Sequence, residues 1–207
     1  MPKKRSKQGS RQVQKKIFIV CEGKKGKSEY AYLKSFIKTC TIPGNLVEII
    51  LEDVRKNTGR ELVKAIHRIR KEEGISSDIA WVVYDKDGYT KHPETFSLAD
   101  DLKVNIAFSS ISFEMWILLH FEYTTRSFAK SEEVIEYLKS KKHINYSKDQ
   151  DDVFYIVKNK LASAVQNAQK LRRNHNDSAP SHSKIYDLNP YSNLDELICQ
   201  IKEFSKK

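Results

Sequence analysis

Cysteine is scarce in this 207-residue chain: Cys21, Cys40 and Cys199 are odd in number, far apart and outside any CxxC unit. That argues against a disulfide framework or a Cys-based structural zinc, and suits a reducing, cytoplasmic setting. Glycine and proline are few, seven and five, which excludes collagen-like and Pro/Gly-rich disordered chains. Long apolar runs are missing too. No window approaches the roughly 18 residues of a membrane span. Residues 1–16 are polar and basic ahead of the short run Ile17–Cys21, so no secretory leader is expected and no membrane partner.

What remains is a basic chain with 39% hydrophobic and 31% charged residues, enough for one folded domain with a small appendage. Its net charge of +10 is unevenly spread. Residues 1–16 hold seven Lys/Arg, among them Lys3, Lys4, Arg5, Lys7 and Arg11, and no acid. Residues 17–129 balance at sixteen of each sign. A basic tail of this kind either solubilises the chain or draws it to a polyanion such as nucleic acid, with strong salt dependence.

The patterning predicts strands at Ile17–Cys21, Leu46–Leu51, Ile79–Tyr84 and Val104–Ser109, the first and third continuously apolar. Helices are expected between them: Glu29 to about Lys38 behind Ser28, a segment opened by Thr58 and Glu61, and Pro93 to about Asp101. Apolar strands joined by helical crossovers indicate a mostly parallel α/β sheet covered on both faces. Further helices are expected at Ser112–Phe121, Glu132–Lys139, Asp151–Leu171 and Tyr191–Phe204, with a polar, mobile loop at Asn174–Ser183. The expected organisation is a basic tail 1–16, an α/β domain 17–129 and a helical extension 130–207 packed on it.

Two strands end in acids: Glu22 after the first, and Asp85 and Asp87 after the third. Parallel strands open their carboxyl ends onto one edge, so these residues can meet although 63 positions separate Glu22 from Asp85. Three acids in one crevice require a proton or a cation, and oxygen-rich sets suit Mg²⁺ or Mn²⁺. Asp85 and Asp87 would hold metal. Glu22 would ligate it or act as general acid/base. Gly23 permits close backbone approach to a phosphate, and Lys24, Lys25 and Lys27 add positive charge beside it. The ordinary reading of Asp85-Lys86-Asp87-Gly88 is a turn. Glu114, in an otherwise apolar helix, is either a helix N-terminal acid or a fourth member of the crevice. Among the histidines, His120 reads as a packing residue, and His175 and His182 fall in the polar loop. A haloacid-dehalogenase-type phosphatase is disfavoured, because Tyr89 stands where Thr or Val is usual.

Three segments carry a resemblance: Ile19-Val20-Cys21-Glu22-Gly23 with Glu29-Tyr30, Val82-Val83-Tyr84-Asp85-Lys86-Asp87, and Ile106-Ala107-Phe108-Ser109 running into Phe113–Phe121. Ser183–Leu197 adds a weaker fourth. On these residues the chain resembles the RloB-like family, a Toprim-related group associated with bacterial restriction and abortive infection. The resemblance implies a Toprim-like fold with Glu22 as the Toprim glutamate and Asp85 and Asp87 as metal-binding aspartates. It also implies an antiphage role, cleavage of DNA or RNA, and a separately encoded ABC/AAA-type ATPase as partner. No third acid follows Asp87, which departs from the wider Toprim pattern. The alternative is a noncatalytic nucleic-acid or nucleotide-binding module acting with that ATPase.

Overall fold

The computed structural model describes residues 16–22, 28–40, 58–72, 79–87, 90–148 and 153–205 in full, and 47–50 by their backbone. The tail to residue 15, Gly23–Lys27, the Pro43-Gly44 turn, Gly74 and Gly88 lie outside that set. A five-stranded sheet runs β2-β1-β3-β4-β5 in space. It comprises β1 (Ile17–Cys21), β2 (Val47–Ile50), β3 (Ile79–Asp85), β4 (Asn105–Ser110) and β5 (Tyr191–Ser192). The first four are parallel and β5 is antiparallel to β4. The architecture is the mostly parallel α/β sheet flanked by helices that the strand patterning implies.

Side-chain alternation along the strands feeds two cores. Phe18, Val20, Ala80, Val82, Tyr84 and Phe108 pack under α2 (Gly59–Glu72) and α3 (His92–Asp101). Ile17, Ile19, Cys21, Trp81, Val83 and Ala107 face the other way. Their cover is α1 (Ser28–Thr39), α4 (Glu114–Leu119), α5 (Ser131–Ser140), α6 (Val153–Val157), α7 (Leu161–Ser178) and α8 (Leu194–Phe204). β1 and β3 are buried on both sides, which is why they read as unbroken apolar runs.

Several expectations need correction in the C-terminal half. The helix expected over 151–171 breaks at Lys158–Lys160, a short 3₁₀ turn between α6 and α7. The two halves follow different partners. Phe154 of α6 meets Tyr32 and Phe36 of α1, whereas α7 lies along α4. Asn174–Ser183 is not one polar loop: α7 runs to Ser178, and Ala179 N–H closes its last turn on the His175 carbonyl. His175 Nε2 lies 2.6 Å from the Pro190 carbonyl, which anchors that turn despite its polarity. The helix expected from Tyr191 begins only at Leu194, because Tyr191 and Ser192 pair with Ser110 and Ser109. Asn193 continues that edge with its side chain, accepting the Phe108 N–H at 2.7 Å and donating to the Ile106 carbonyl at 3.0 Å. The apolar helix expected over Ser112–Phe121 is shorter, Glu114–Leu119.

α8 is tied to α7 by a two-pronged ion pair, Arg172 on Asp195, whose second contact measures 2.7 Å. Close approach governs α2. A Cβ on Gly59 would stand 2.8 Å from Tyr84 Cζ and 2.9 Å from Thr95 Cγ2. The Tyr84 ring cannot retreat, since His92, Phe96 and Phe108 surround it. Gly→Ala ordinarily strengthens a helix, but here the clash wins. Gly59→Ala is expected to destabilise by roughly 1–3 kcal/mol, about 2–4 °C in melting midpoint per kcal/mol at this chain length. A thermal melt that stays level or rises would refute the close-packing account.

Candidate functional site

The sheet order places a topological switch between β1 and β3: the connection from β1 leaves toward β2, and the chain then returns to the opposite side of β1. In open α/β sheets the crevice at the carboxyl ends of two such strands is the usual ligand site. Register fixes what stands there. Cys21 pairs with Val83, and Asp85 pairs with Ser109. One residue beyond β1, Glu22 N–H donates to the Val83 carbonyl at 2.8 Å. Its carboxylate in turn accepts from the Asp85 N–H at 3.4 Å. Glu22 and Asp85 therefore meet through parallel pairing alone.

Asp85 is held by backbone donors. Its Oδ1 accepts the Asp87 N–H at 3.2 Å and its Oδ2 the Phe113 N–H at 3.3 Å. The second bond reaches the segment that opens α4, so it also brings Glu114 in. Glu114 is buried, and the Tyr146 hydroxyl lies 3.0 Å from its Oε1. The same hydroxyl is 2.7 Å from Ser28 Oγ, and Ser28 donates to the Lys148 carbonyl at 2.6 Å. Ser28 is thus the first residue of α1 and a tertiary link rather than a cap. Beside it, Glu29 also faces the group.

Electrostatics shows the coupling. Burial, followed by the charge of Asp85, pushes the Glu22 carboxyl up to about 8. Glu29 rises to about 8 for the same two reasons, with Glu114 and Glu22 adding smaller repulsions. Asp85 rises to about 7, through burial first and then the charges of Glu114 and Asp87. Asp87 itself is exposed in the turn that follows β3. Among the described residues none of these acids has a cation within ion-pair distance. Nor does any group of three or more His, Cys, Asp or Glu side chains there stand in a ready metal-holding arrangement.

Sequence reasoning brings Glu22, Asp85, Asp87 and Glu114 to this region, and the structure sets them around one edge. Gly23, Lys24, Lys25 and Lys27 lie outside the described residues, as do Lys3, Lys4, Arg5, Lys7 and Arg11. One participant carries little sequence signal: Tyr146 sits in a polar stretch far from any motif, 32 positions from its partner Glu114. Glu29 reads in the sequence either as a first-turn acid matching the helix dipole or as a supporting acid near the site, and its coupling to Asp85, Glu114 and Glu22 agrees with the second. His120 is a packing residue: its Nδ1 faces the Trp116 carbonyl at 2.9 Å and Tyr32 its Nε2 at 3.0 Å, and burial lowers it to about 4. That neutral ring donates from Nδ1 and accepts the Tyr32 proton at Nε2.

Comparison with known proteins adds one positive result. The family model described as RloB-like protein matches residues 17–201. No curated protein and no solved structure matches.

The acid cluster has a consequence for stability against pH. Unfolded carboxyls lose their protons near pH ~4, whereas the folded Asp85, Glu22 and Glu29 keep theirs until about 7, 8 and 8. Between those limits the native state binds more protons, so this group favours folding less as pH rises. Melting of Asp85→Asn against the parent chain at about pH 5 and pH 8, in EDTA, checks this. The variant should gain relative stability at the higher pH. A difference independent of pH would show that the acids do not repel one another.

Proposed function

The chain belongs to the RloB-like family, and from that premise we propose that it is a nucleic-acid-directed antiphage protein. In this reading its carboxylate crevice hydrolyses phosphodiester bonds with a divalent cation. The observation that carries the reading is the meeting of Glu22 and Asp85 across the β1/β3 switch, Glu22 raised by burial and the charge of Asp85, Asp85 by burial and the charges of Glu114 and Asp87. Structural turns do not need half-buried acids gathered with no cation beside them among the described residues. A cation-binding crevice does.

The donor set fits a hard divalent ion. It is all carboxylate oxygen, from Glu22, Asp85 and Asp87, with Glu29 and Glu114 close by. Two buried hydroxyls at the end of β4, Ser110 and Ser112, have no hydrogen-bond partner among the described residues. A bound Mg²⁺ or Mn²⁺ supplies positive charge to phosphate oxygens and acidifies water. The protein supplies the rest. Phe113 and Asp87 N–H groups hold the Asp85 carboxylate in one orientation. Tyr146 fixes Glu114. Glu22 would either ligate the ion or act as general acid/base. The apolar wall of α4 keeps bulk water from one side of the crevice.

One observation favours a second reading. The absence of a ready metal-holding group among the described residues suits a noncatalytic nucleic-acid or nucleotide-binding module that acts with a separately encoded ABC/AAA-type ATPase. Cleavage of end-labelled DNA and RNA, with Mg²⁺ or Mn²⁺ and with that ATPase present, separates the two. The catalytic reading expects turnover that falls about 100-fold or more in Glu22→Gln and Asp85→Asn. Equal cleavage by all three proteins removes the assigned site. Nucleic-acid binding in EDTA without turnover under any of these conditions establishes the second reading instead.

A further inference from the structure

Away from the acids, the segment leaving α4 presents aromatic rings to solvent, each paired with a cation. Phe121 stacks on the His143 ring, with centroids 5.0 Å apart and planes 13° from parallel, and the Lys160 ammonium lies 5.5 Å from the same ring. Lys170, from the middle of α7, sits 4.2 Å from the centre of Tyr123. Tyr137, near the end of α5, lies between Arg126 at 5.0 Å and Lys141 at 5.4 Å. The four rings are half-buried and the four cations exposed. Glu122 joins the pieces, accepting from Tyr137 at 2.7 Å and lying 3.0 Å from His143 Nε2.

Two physical features distinguish this strip from ordinary surface packing. First, Arg126, Lys160 and Lys170 have no carboxylate within ion-pair distance among the described residues. Secondly, the strip and the crevice are tied to the same two pieces of chain, a buried helix and a loop. α4 carries Glu114 at its start and Phe121 two residues past its end, a span of about 10 Å. The loop after α5 touches the strip through His143 and the crevice through Tyr146, three residues later.

Exposed cations beside half-exposed rings are what a flexible polyanion with planar bases recognises. The cations track phosphates, and a ring whose cation turns to a phosphate offers the freed face to a base. A duplex keeps its bases stacked on one another and cannot use the rings. We propose that the strip formed by residues 121–128, the end of α5 and the Lys158–Lys170 flank of α7 is a single-stranded nucleic-acid track leading to the acidic crevice. The direction of the track rests on the reading of that crevice. Binding by the strip does not.

The test is fluorescence anisotropy of labelled oligo-U and oligo-dT, about 20 nucleotides each, with the full chain in EDTA over a range of salt. Lys160→Glu/Lys170→Glu should weaken binding about tenfold or more, and the log–log salt slope should become shallower by about 0.7 for each phosphate left without its cation. Lys160→Gln/Lys170→Gln gives a milder version of the same change if the reversed pair folds poorly. Tyr123→Ala should weaken binding while leaving the salt slope in place, since stacking releases no counterions. As a control, Lys64→Glu/Lys71→Glu on α2, across the sheet, should cost much less. Parent-like affinity and slope in both Lys160/Lys170 pairs, an equal loss in the α2 control, or a preference for duplex would overturn the proposal. The oligo-U and oligo-dT arms tell an RNA track from a DNA track. Anisotropy in EDTA reads binding alone, so failure of the catalytic reading is seen separately, in the cleavage assay.

Discussion

The partial burial of a group of carboxyls, compounded by their charge on one another, is the constraint on which the rest of this structure turns. Glu22, Glu29, Asp85 and Glu114 come from four different parts of the chain, and each raises the cost of ionising its neighbours. Left alone, such a group would drive the sheet edge apart. Local interactions hold three of the four in place: the β1–β3 ladder for Glu22, two backbone N–H donors for Asp85, and the Tyr146–Ser28 link for Glu114. The framework is over-determined, and among the described residues no cation stands within ion-pair distance of these acids. Stability set aside at one edge in this way is the usual mark of a site shaped for a ligand.

The two cores divide this labour. Under α2 and α3 the packing is aromatic and tight, with Tyr84, His92, Phe96 and Phe108 in mutual contact and Gly59 pressed against them. This side holds β3 rigid just before Asp85. On the other side α4 is short and wholly buried, and it is wedged between the sheet and α5 and α7. Its position sets both Glu114 at one end and the aromatic strip at the other. A shift of α4 would therefore disturb the acids and the strip together.

The N-terminal half is largely legible in the sequence, and for a physical reason. Fully buried parallel strands must be apolar throughout, so Ile17–Cys21 and Ile79–Tyr84 announce themselves, and the residues that follow such strands fall at one edge by geometry. The convergence of Glu22 and Asp85 follows from that rule alone. The C-terminal half is harder. Tyr191–Ser192 is too short to show an alternation, and its strand character comes from the free edge of β4 rather than from its own residues. The polar last turn of α7 is fixed by His175 reaching a distant carbonyl, a contact without local signal. Tyr146 belongs to the same class: its importance lies wholly in what it touches.

β5 and α8 bring a consequence of their own. The strand that closes the β4 edge and the helix whose Leu194, Leu197, Ile198 and Ile201 complete one core follow every other described element in chain order. During synthesis they leave the ribosome after everything they cover. A nascent chain therefore passes through a stage with an open sheet edge and an uncovered apolar floor, the kind of surface that holdase chaperones shield. A product cut short by premature termination ahead of Tyr191 stays at that stage, without the lid of its core or the Arg172–Asp195 clasp that secures it.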